Sequence, residues 1–346
     1  MTSISTDQRA ARRFRTPRAV RVIAPGRLHI GFLDLGGSLG RRFGSLGLTL
    51  ESPTTSVLVE TADGLTAQGP DCERAMDAVG RLAEADFSVD ERVRIVVEQA
   101  LPAHAGLGSG TQLGLAAGVA ASIVSGRAMP PAKVAAALGR GMRSSIGLGA
   151  FEGGGVLLDG GQPVEARRND HRPPPLISRI PVPEHWRILL IYDRARSGLS
   201  GQAETSAMQG LPEFTEALSG TLCRLTLMGA LPAAAEGDAD GFGRAVGEIQ
   251  RRLGDHFAQF QGGRFTSPDV AEALEVIEAE GVPGVGQSSW GPTGFAVFGR
   301  PAEAEEALSD LSRRFAGRSN LVFDVVRGNN HGATIADVPH SGALAV

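Results

Sequence analysis

Lysine is nearly missing from this chain. Among 346 residues and 34 basic side chains, Lys133 is the single lysine, and the rest are arginines. The glycine-rich stretch near residue 106 therefore has no phosphate-loop lysine. Schiff-base chemistry would fall to Lys133 alone, which lies in an ordinary-looking helix. Cysteine is as scarce: Cys72 and Cys223 stand far apart without metal-ligand spacing. Neither a disulfide framework nor a zinc site is expected, and a reducing cytoplasm is the expected location. No apolar run approaches the length that crosses a bilayer, so no membrane partner is expected. A formal net charge of −4 offers no broad attraction for nucleic acid. Residues 1–17, "MTSISTDQRAARRFRTP", contain no apolar stretch; they are not expected to be a secretory signal and read as a tail, as does 339–346.

What is there is a globular composition, 42% hydrophobic and 21% charged, on a chain long enough for two cores. "AVRVIAPGRLHIGFLDLGG" (19–37) alternates β-formers around a Pro-Gly break, which predicts two short strands. "SPTTSVLVE" and "RVRIVVEQALP" predict two more, with a polar helix from about Asp71 to Ala85 between them. Leu113, Ala116, Ala117, Ala120 and Ile123 then recur at helical spacing, so a helix is expected from about Thr111. A second small-residue helix is expected from Pro131, followed by the glycine-dense "GMRSSIGLGAFEGGGVLLDGG". The proline- and charge-rich stretch 166–183 reads as a connector, placing a domain boundary near residue 180. Beyond it come the strand "WRILLIYD", two or three helices across 202–261, and a helix in "SPDVAEALEVIEAEG". A hairpin-like "GVGQSSWGPTGFAVFG", a helix near 301–316 and the strand "NLVFDVV" complete an α+β or mixed α/β pattern.

The most informative stretch is "PAHAGLGSGTQLGLAAGVAA" (102–121). Gly106, Gly108 and Gly110 permit backbone conformations barred to other residues and close approach of a ligand. Successive amides of Gly106, Leu107, Gly108, Ser109, Gly110 and Thr111 can form a nest, and the following helix adds its positive N-terminal end. That combination suits a phosphate or pyrophosphate. Ser109 and Thr111 add hydroxyls for phosphate oxygens or for Mg²⁺. A plain strand-to-helix turn is the competing reading of the glycines taken alone.

Three glycine-marked segments in order, "APGRLHIGFLDL", "PAHAGLGSG" and "GVGQSSWGPTGFAV", resemble the GHMP kinase superfamily over most of 18–335. The resemblance implies an α+β, two-domain GHMP-kinase-like fold. Its N-terminal domain (18–180) would be ribosomal-protein-S5-like and carry the phosphate loop. Its C-terminal domain (181–338) would be ferredoxin-like, with the ligand between the two. In many kinases of the superfamily an aspartate helps deprotonate the acceptor hydroxyl; here, in "RSSIGLGAFEGG", Gly147 falls at that position. With "GLSGQAE", "FAQFQGG" and "GQSSWGPTGFAVF", the set resembles the β-ribofuranosylaminobenzene 5′-phosphate synthase family. That family joins phosphoribosyl pyrophosphate to 4-aminobenzoate or 4-hydroxybenzoate in methanopterin biosynthesis. Carbon dioxide and pyrophosphate leave and a carbon–carbon glycosidic bond forms. The resemblance also suggests a homodimer.

The expected site follows from this resemblance. The loop residues 106–111 would grip pyrophosphate, with Mg²⁺ neutralising it at Ser109 and Asp34. Arg27, Ser109 and Glu152 are the candidate catalytic residues. Arg27 would pair with phosphate or benzoate, against the alternative of a surface or interdomain ion pair. Asp34 and Glu152 are candidates for metal or ribose hydroxyls, against plain caps. Gln287, Ser288 and Ser289 sit where the superfamily's third loop meets phosphate. Trp290 and His29 would contact the aromatic acceptor, and Phe32 or Phe151 would wall its pocket, against core packing. His29 and His104 are also candidate proton shuttles. Arg143 is a candidate for the ribose 5-phosphate, against an exposed helix end. The competing functions are an ATP-dependent small-molecule kinase and a non-catalytic nucleotide-binding regulator.

Overall fold

A computed structural model of the chain describes residues 18–85, 89–165, 172–199 and 201–339; both terminal tails expected from the sequence lie almost wholly outside them. The first half runs β1 (Ala19–Asp34), β2 (Arg41–Thr61), β3 (Thr66–Gln68), α1 (Cys72–Glu84), β4 (Val93–Gln99), α2 (Ser109–Val124), α3 (Pro131–Ala137), α4 (Ile146–Glu152), β5 (Val156–Asp159), β6 (Gln162–Pro163) and β7 (Leu176–Ile180). The second runs β8 (Arg187–Asp193), α5 (Gly201–Gln209), α6 (Glu216–Leu225), α7 (Leu231–Glu236), α8 (Ala239–Gln261), α9 (Pro268–Ala279), β9 (Val285–Gln287), β10 (Gly294–Phe298), α10 (Pro301–Arg314), β11 (Leu321–Val326) and β12 (Thr334–Asp337). A π-helical turn, Thr226–Ala230, joins α6 to α7.

The Pro-Gly break does not divide β1 as the sequence predicts. Pairing with β2 passes from Pro25–Thr54 to Arg27–Thr49, and the residues β2 has to spare bow outward. Leu50 bridges Gly328 and the Glu51 amide donates to Arg327 at 2.8 Å, so the bow is itself hydrogen-bonded and the strand continues. The long β1–β2 hairpin consequently serves both halves of the fold. Its base (Val20, Val22, Val57, Val59) packs on α1 and α2. Its far end (Leu28, Ile30, Leu46, Leu48) packs with Trp186, Phe242 and Phe295 from beyond residue 180.

The four-stranded antiparallel sheet β11-β8-β10-β9 shows the period-2 logic of a strand covered on both faces. Leu189 and Ile191 of β8 join a core with α9 and α10, while Ile188 and Leu190 join the core that holds α8. Two segments depart from the sequence partition. Within the supposed connector, 166–171 lies outside the described residues, but β7 is a strand pairing with β5. β12 returns from the C-terminal half to pair with β1. Among the described residues no helix is long and apolar enough to cross a membrane.

Candidate functional site

The loop between β4 and α2 has the geometry of an anion cradle. Gly106 and Gly108 take φ of 84° and 86°, the left-handed region that favours glycine. A Cβ on Gly106 would fall 2.1 Å from the Ser288 carbonyl oxygen, so the loop is also pressed against the third glycine segment. α2 starts at Ser109, two residues earlier than its apolar pattern indicates, with no side-chain cap and no acidic residue in its first turn. Helices usually satisfy their first amides with such groups; here the Thr111 and Gln112 amides both donate to the Gly108 carbonyl at 3.0 Å, and no side chain caps Ser109 and Gly110.

Three chain segments are stitched together here. The Ser288 hydroxyl donates to the Gly106 carbonyl at 2.7 Å and accepts from the His29 amide at 3.0 Å. The Ser289 amide donates to the His29 carbonyl at 3.0 Å. Arg27 donates from Nη1 to the same Gly106 carbonyl, and its amide donates to Leu107 at 3.2 Å. The Arg27 guanidinium thereby lies under the loop, where a Cβ on Gly108 would sit 3.4 Å from its Cζ. Its Nε is buried with no hydrogen-bond partner among the described residues. Burial lowers the guanidinium to about 10, opposed by Glu204, so it stays charged at neutral pH.

A cleft of about 370 Å³ opens over the loop, lined by Arg27, Ser109, Thr111, Arg140, Glu204 and Ser289, among others. Glu204 of α5 pairs with Arg143 at 2.9 Å. Arg143 also lines a second cleft, of about 530 Å³, with Arg42, Phe43, Phe214 and His256. The two clefts thus meet at the Arg143–Glu204 pair. A chamber of about 40 Å³ shares Ser289 and Trp290 with the loop cleft and is walled also by His29, Phe32, Phe257 and Gln287. It has room for a few waters; a cavity that takes up benzene measures roughly 150 Å³.

The structure brings Arg27, the loop residues 106–111 and Ser289 together and places other expected residues elsewhere. Glu152 ends α4 exposed, against the turn containing Gly332, and does not line the cleft. Asp34 lies seven residues beyond Arg27 on β1 and accepts from the Gly37 amide at 2.8 Å, so it is a turn cap apart from Ser109. Ser288 is fully buried and consumed in the stitching. Gln287 accepts from the Thr266 amide at 2.7 Å and donates to the Ser289 carbonyl at 3.1 Å, which holds the third segment in shape. His29 is held neutral, its imidazole pushed down to about 3 by burial and then by Arg27 and Arg143, so it is no proton shuttle at neutral pH. Trp290 packs on Phe257 at 4.7 Å between ring centroids and walls the small chamber. Phe151 belongs to the core with α2, whereas Phe32 does wall that chamber. Exposed His104 lines the loop cleft.

Gly147 lies within α4, where a Cβ would come 3.1 Å from the Thr111 methyl. Gln112, one residue further along α2, donates to the Gly147 carbonyl at 2.8 Å. The position that carries a base in many related kinases therefore does face the loop helix, and here it brings no functional group. Sequence reasoning missed Arg74, Arg140 and Glu204. Glu204 closes the quoted "GLSGQAE" segment and had a signal; the two arginines come from "DCER" and "LGRGM", which carry none.

Among known proteins, the chain matches the GHMP kinases N-terminal domain over residues 73–152 and the GHMP kinases C-terminal domain over 230–317. Homoserine kinase from Cytophaga hutchinsonii shares the fold at 16% identity and TM-score 0.63, covering 96% of this chain and 100% of that one. Mevalonate pyrophosphate decarboxylase from Streptococcus pyogenes does so at 12% identity and TM-score 0.62, covering 91% and 98%. Sequence similarity is greater to a curated beta-ribofuranosylphenol 5′-phosphate synthase from Methanothermobacter thermautotrophicus, 31% identical over 327 residues, 89% of this chain and 96% of that one. The Methanocaldococcus jannaschii protein of the same name is 30% identical over 335 residues, 90% and 98% of the two chains. With an anion cradle that has no base at position 147, on a GHMP-kinase fold, the chain belongs to the beta-ribofuranosylphenol 5′-phosphate synthase family of enzymes.

Proposed function

We propose that this synthase is a phosphoribosyltransferase. It joins phosphoribosyl pyrophosphate to a 4-substituted benzoate, on the path to methanopterin, with loss of carbon dioxide and pyrophosphate. The curated relatives are named for a ribofuranosylphenol, which favours 4-hydroxybenzoate over 4-aminobenzoate as the acceptor. The observation that carries the reading is the open helix start at Ser109 facing Gly147 rather than a carboxylate.

The donor's diphosphate would lie on the amides of 107–110, the Thr111 amide being spent on the Gly108 carbonyl, with Arg27 beneath. As the C1–oxygen bond breaks, charge gathers on the leaving diphosphate, and preorganised amides stabilise it without reorganising; one such donor is worth on the order of 3 kcal/mol. The acceptor's ring carbon bearing the carboxylate attacks C1. The carbon–carboxylate bond then breaks, its electron pair returns to the ring, and carbon dioxide leaves. No ring proton has to be removed, so a glycine suffices at 147. The larger cleft suits the acceptor: Phe43, Phe214 and His256 offer ring faces, and Arg42 and Arg143 offer charge to a carboxylate. Buried Trp290 and half-buried Phe257 would keep water from the electrophilic sugar.

Ser109, Thr111 and Glu204 present hard oxygens to the loop cleft, a donor set that fits Mg²⁺ arriving with the diphosphate. Bound there, the ion would neutralise the leaving group. Among the described residues no group of three or more His, Cys, Asp or Glu could hold a resident metal.

The test is incubation with phosphoribosyl pyrophosphate, carboxyl-labelled 4-hydroxybenzoate and Mg²⁺. Labelled carbon dioxide supports the reading. ATP consumption with a hydroxylated acceptor and no labelled gas would replace it with the kinase reading that the fold alone favours.

A further inference from the structure

Arg74 and Arg140 line the loop cleft itself at Gly110, and beside it lies an enclosed notch of about 10 Å³ lined by Arg74, Asp77, Arg81, Gly110 and Arg140. Arg74 and Arg81 come from α1, one helical face apart by about two turns, and Arg140 from the connector after α3. They converge on the first turn of α2: a Cβ on Gly110 would lie 2.7 Å from Arg74 Nη2 and 3.3 Å from Arg140 Nη1. Arg74 pairs with Asp71 at 3.0 Å and Arg81 donates to the Leu138 carbonyl at 3.4 Å. The Arg140 amide donates to the Ala135 carbonyl at 2.8 Å, while its guanidinium makes no hydrogen bond or ion pair among the described residues. Its guanidinium is depressed by burial first, then by the charges of Arg74 and Arg81, with Asp77 opposing.

Three guanidiniums set against Asp71 and Asp77 leave one positive charge in excess, which an anion would neutralise. A second, independent feature points to a phosphorylated ligand in the same cleft: the buried, unpartnered Nε of Arg27, at the inner side of the loop. Arg27 meets the loop at Gly108, while Arg74 and Arg140 meet it at Gly110. A monophosphate on the loop amides satisfies one of these places and leaves the other unneutralised.

We infer that Arg140, with Arg74 beside it at Gly110, forms a subsite for the terminal phosphoryl group of a diphosphate whose inner phosphoryl group rests on the loop over Arg27. The inference rests on the donor assigned above for the direction it gives the ligand. With the terminal phosphate held at Arg140 and Arg74 beside Gly110, the inner phosphate and the sugar C1 attached to it point toward Glu204, Arg143 and the acceptor cleft. Arg140 is then a specificity-determining residue that separates diphosphates from monophosphates.

Titration calorimetry with inorganic pyrophosphate and orthophosphate, on wild type and Arg140→Gln, tests this. Arg140→Gln is expected to weaken pyrophosphate at least tenfold, to leave orthophosphate within about twofold, and to raise the melting temperature of the unliganded protein by relieving repulsion. A purely structural arginine would lower that temperature instead. Equal losses for both anions, or none for pyrophosphate, would overturn the subsite; Arg74→Gln, measured alongside, guards against compensation by a neighbour. The same comparison with phosphoribosyl pyrophosphate and ADP separates the two claims. A tenfold loss with ADP and none with the sugar donor would keep the subsite and overturn the donor.

Discussion

The Ser288 hydroxyl donates to the Gly106 carbonyl at 2.7 Å while accepting from the His29 amide at 3.0 Å, so one buried side chain fastens the third glycine segment to the first two. Replacing it leaves a buried N–H without a partner, which costs about 1–3 kcal/mol. Ser288→Ala is therefore expected to lower the melting temperature measurably and to weaken pyrophosphate binding through a loosened loop. Calorimetric unfolding checks the first and anion titration the second. An unchanged melting temperature would show that the hydroxyl does not hold the segments together.

Much of the fold was legible because its signals are local: the apolar spacing of α2, the β-formers of β4 and β8, and the hairpin of β9 and β10 all read correctly. Pro25 misled, because what keeps β1 continuous is an outward bow on its partner strand, anchored by Arg327 and Gly328 far along the chain. The site divides in the same way. The loop and Arg27 were visible as glycines and a charge next to each other in motif order. Asp34 and Glu152 stand out in the sequence as carboxylates beside glycines, and nothing local reveals that one caps a turn and the other does not line the cleft. In "FAQFQGG", Phe257 packs on Trp290 and Gln261 accepts from Gln287 at 3.4 Å, contacts that no local pattern marks.

Gly147 supplies the sharpest comparison with kinase chemistry. An aspartate there would press its Cβ to 3.1 Å from the Thr111 methyl and bury a carboxylate inside α4. Overpacking alone costs roughly 1–3 kcal/mol, and an unpaired buried charge adds to it. Gly147→Asp is expected to be less stable in urea, to lose at least tenfold in transferase rate, and to gain no ATP-dependent phosphorylation of hydroxylated acceptors. Gly147→Ala, which crowds the same methyl but gains up to about 1 kcal/mol of helix propensity, is the control and is expected near wild-type stability. Kinase activity appearing in the aspartate variant would mean that the site had kept its kinase geometry.

Ser109 opens α2 and lines the cleft, and in the proposed reaction its hydroxyl would serve the departing diphosphate. An interaction that strengthens as the bond breaks shows in turnover more than in acceptor affinity. Ser109→Ala is expected to lower kcat by up to about a hundredfold while the KM for 4-hydroxybenzoate stays within about twofold. Steady-state kinetics with each substrate varied in turn decides it. Equal losses in kcat and acceptor affinity would move Ser109 out of the diphosphate site.

His29 gives a pH dependence whose direction is fixed by its burial. Its imidazole falls from 6.5 to about 3 in the folded protein, so between those values the unfolded chain carries a proton that the folded one lacks. Stability therefore rises with pH through that window: His29 costs nothing above pH 6.5 and draws stability down as pH falls toward 3, at up to about 1.4 kcal/mol per unit. Urea unfolding of wild type and His29→Gln from pH 7 to pH 4.5 isolates the group, since carboxylates contribute equally to both. The variant's stability is expected to fall less steeply below pH 6.5. Because the imidazole is already neutral at pH 6–8, the two enzymes are also expected to share one shape of pH–rate profile there. A parallel decline in stability would mean that His29 is protonated in the folded protein, and a basic limb lost from the rate profile would restore it as a proton carrier.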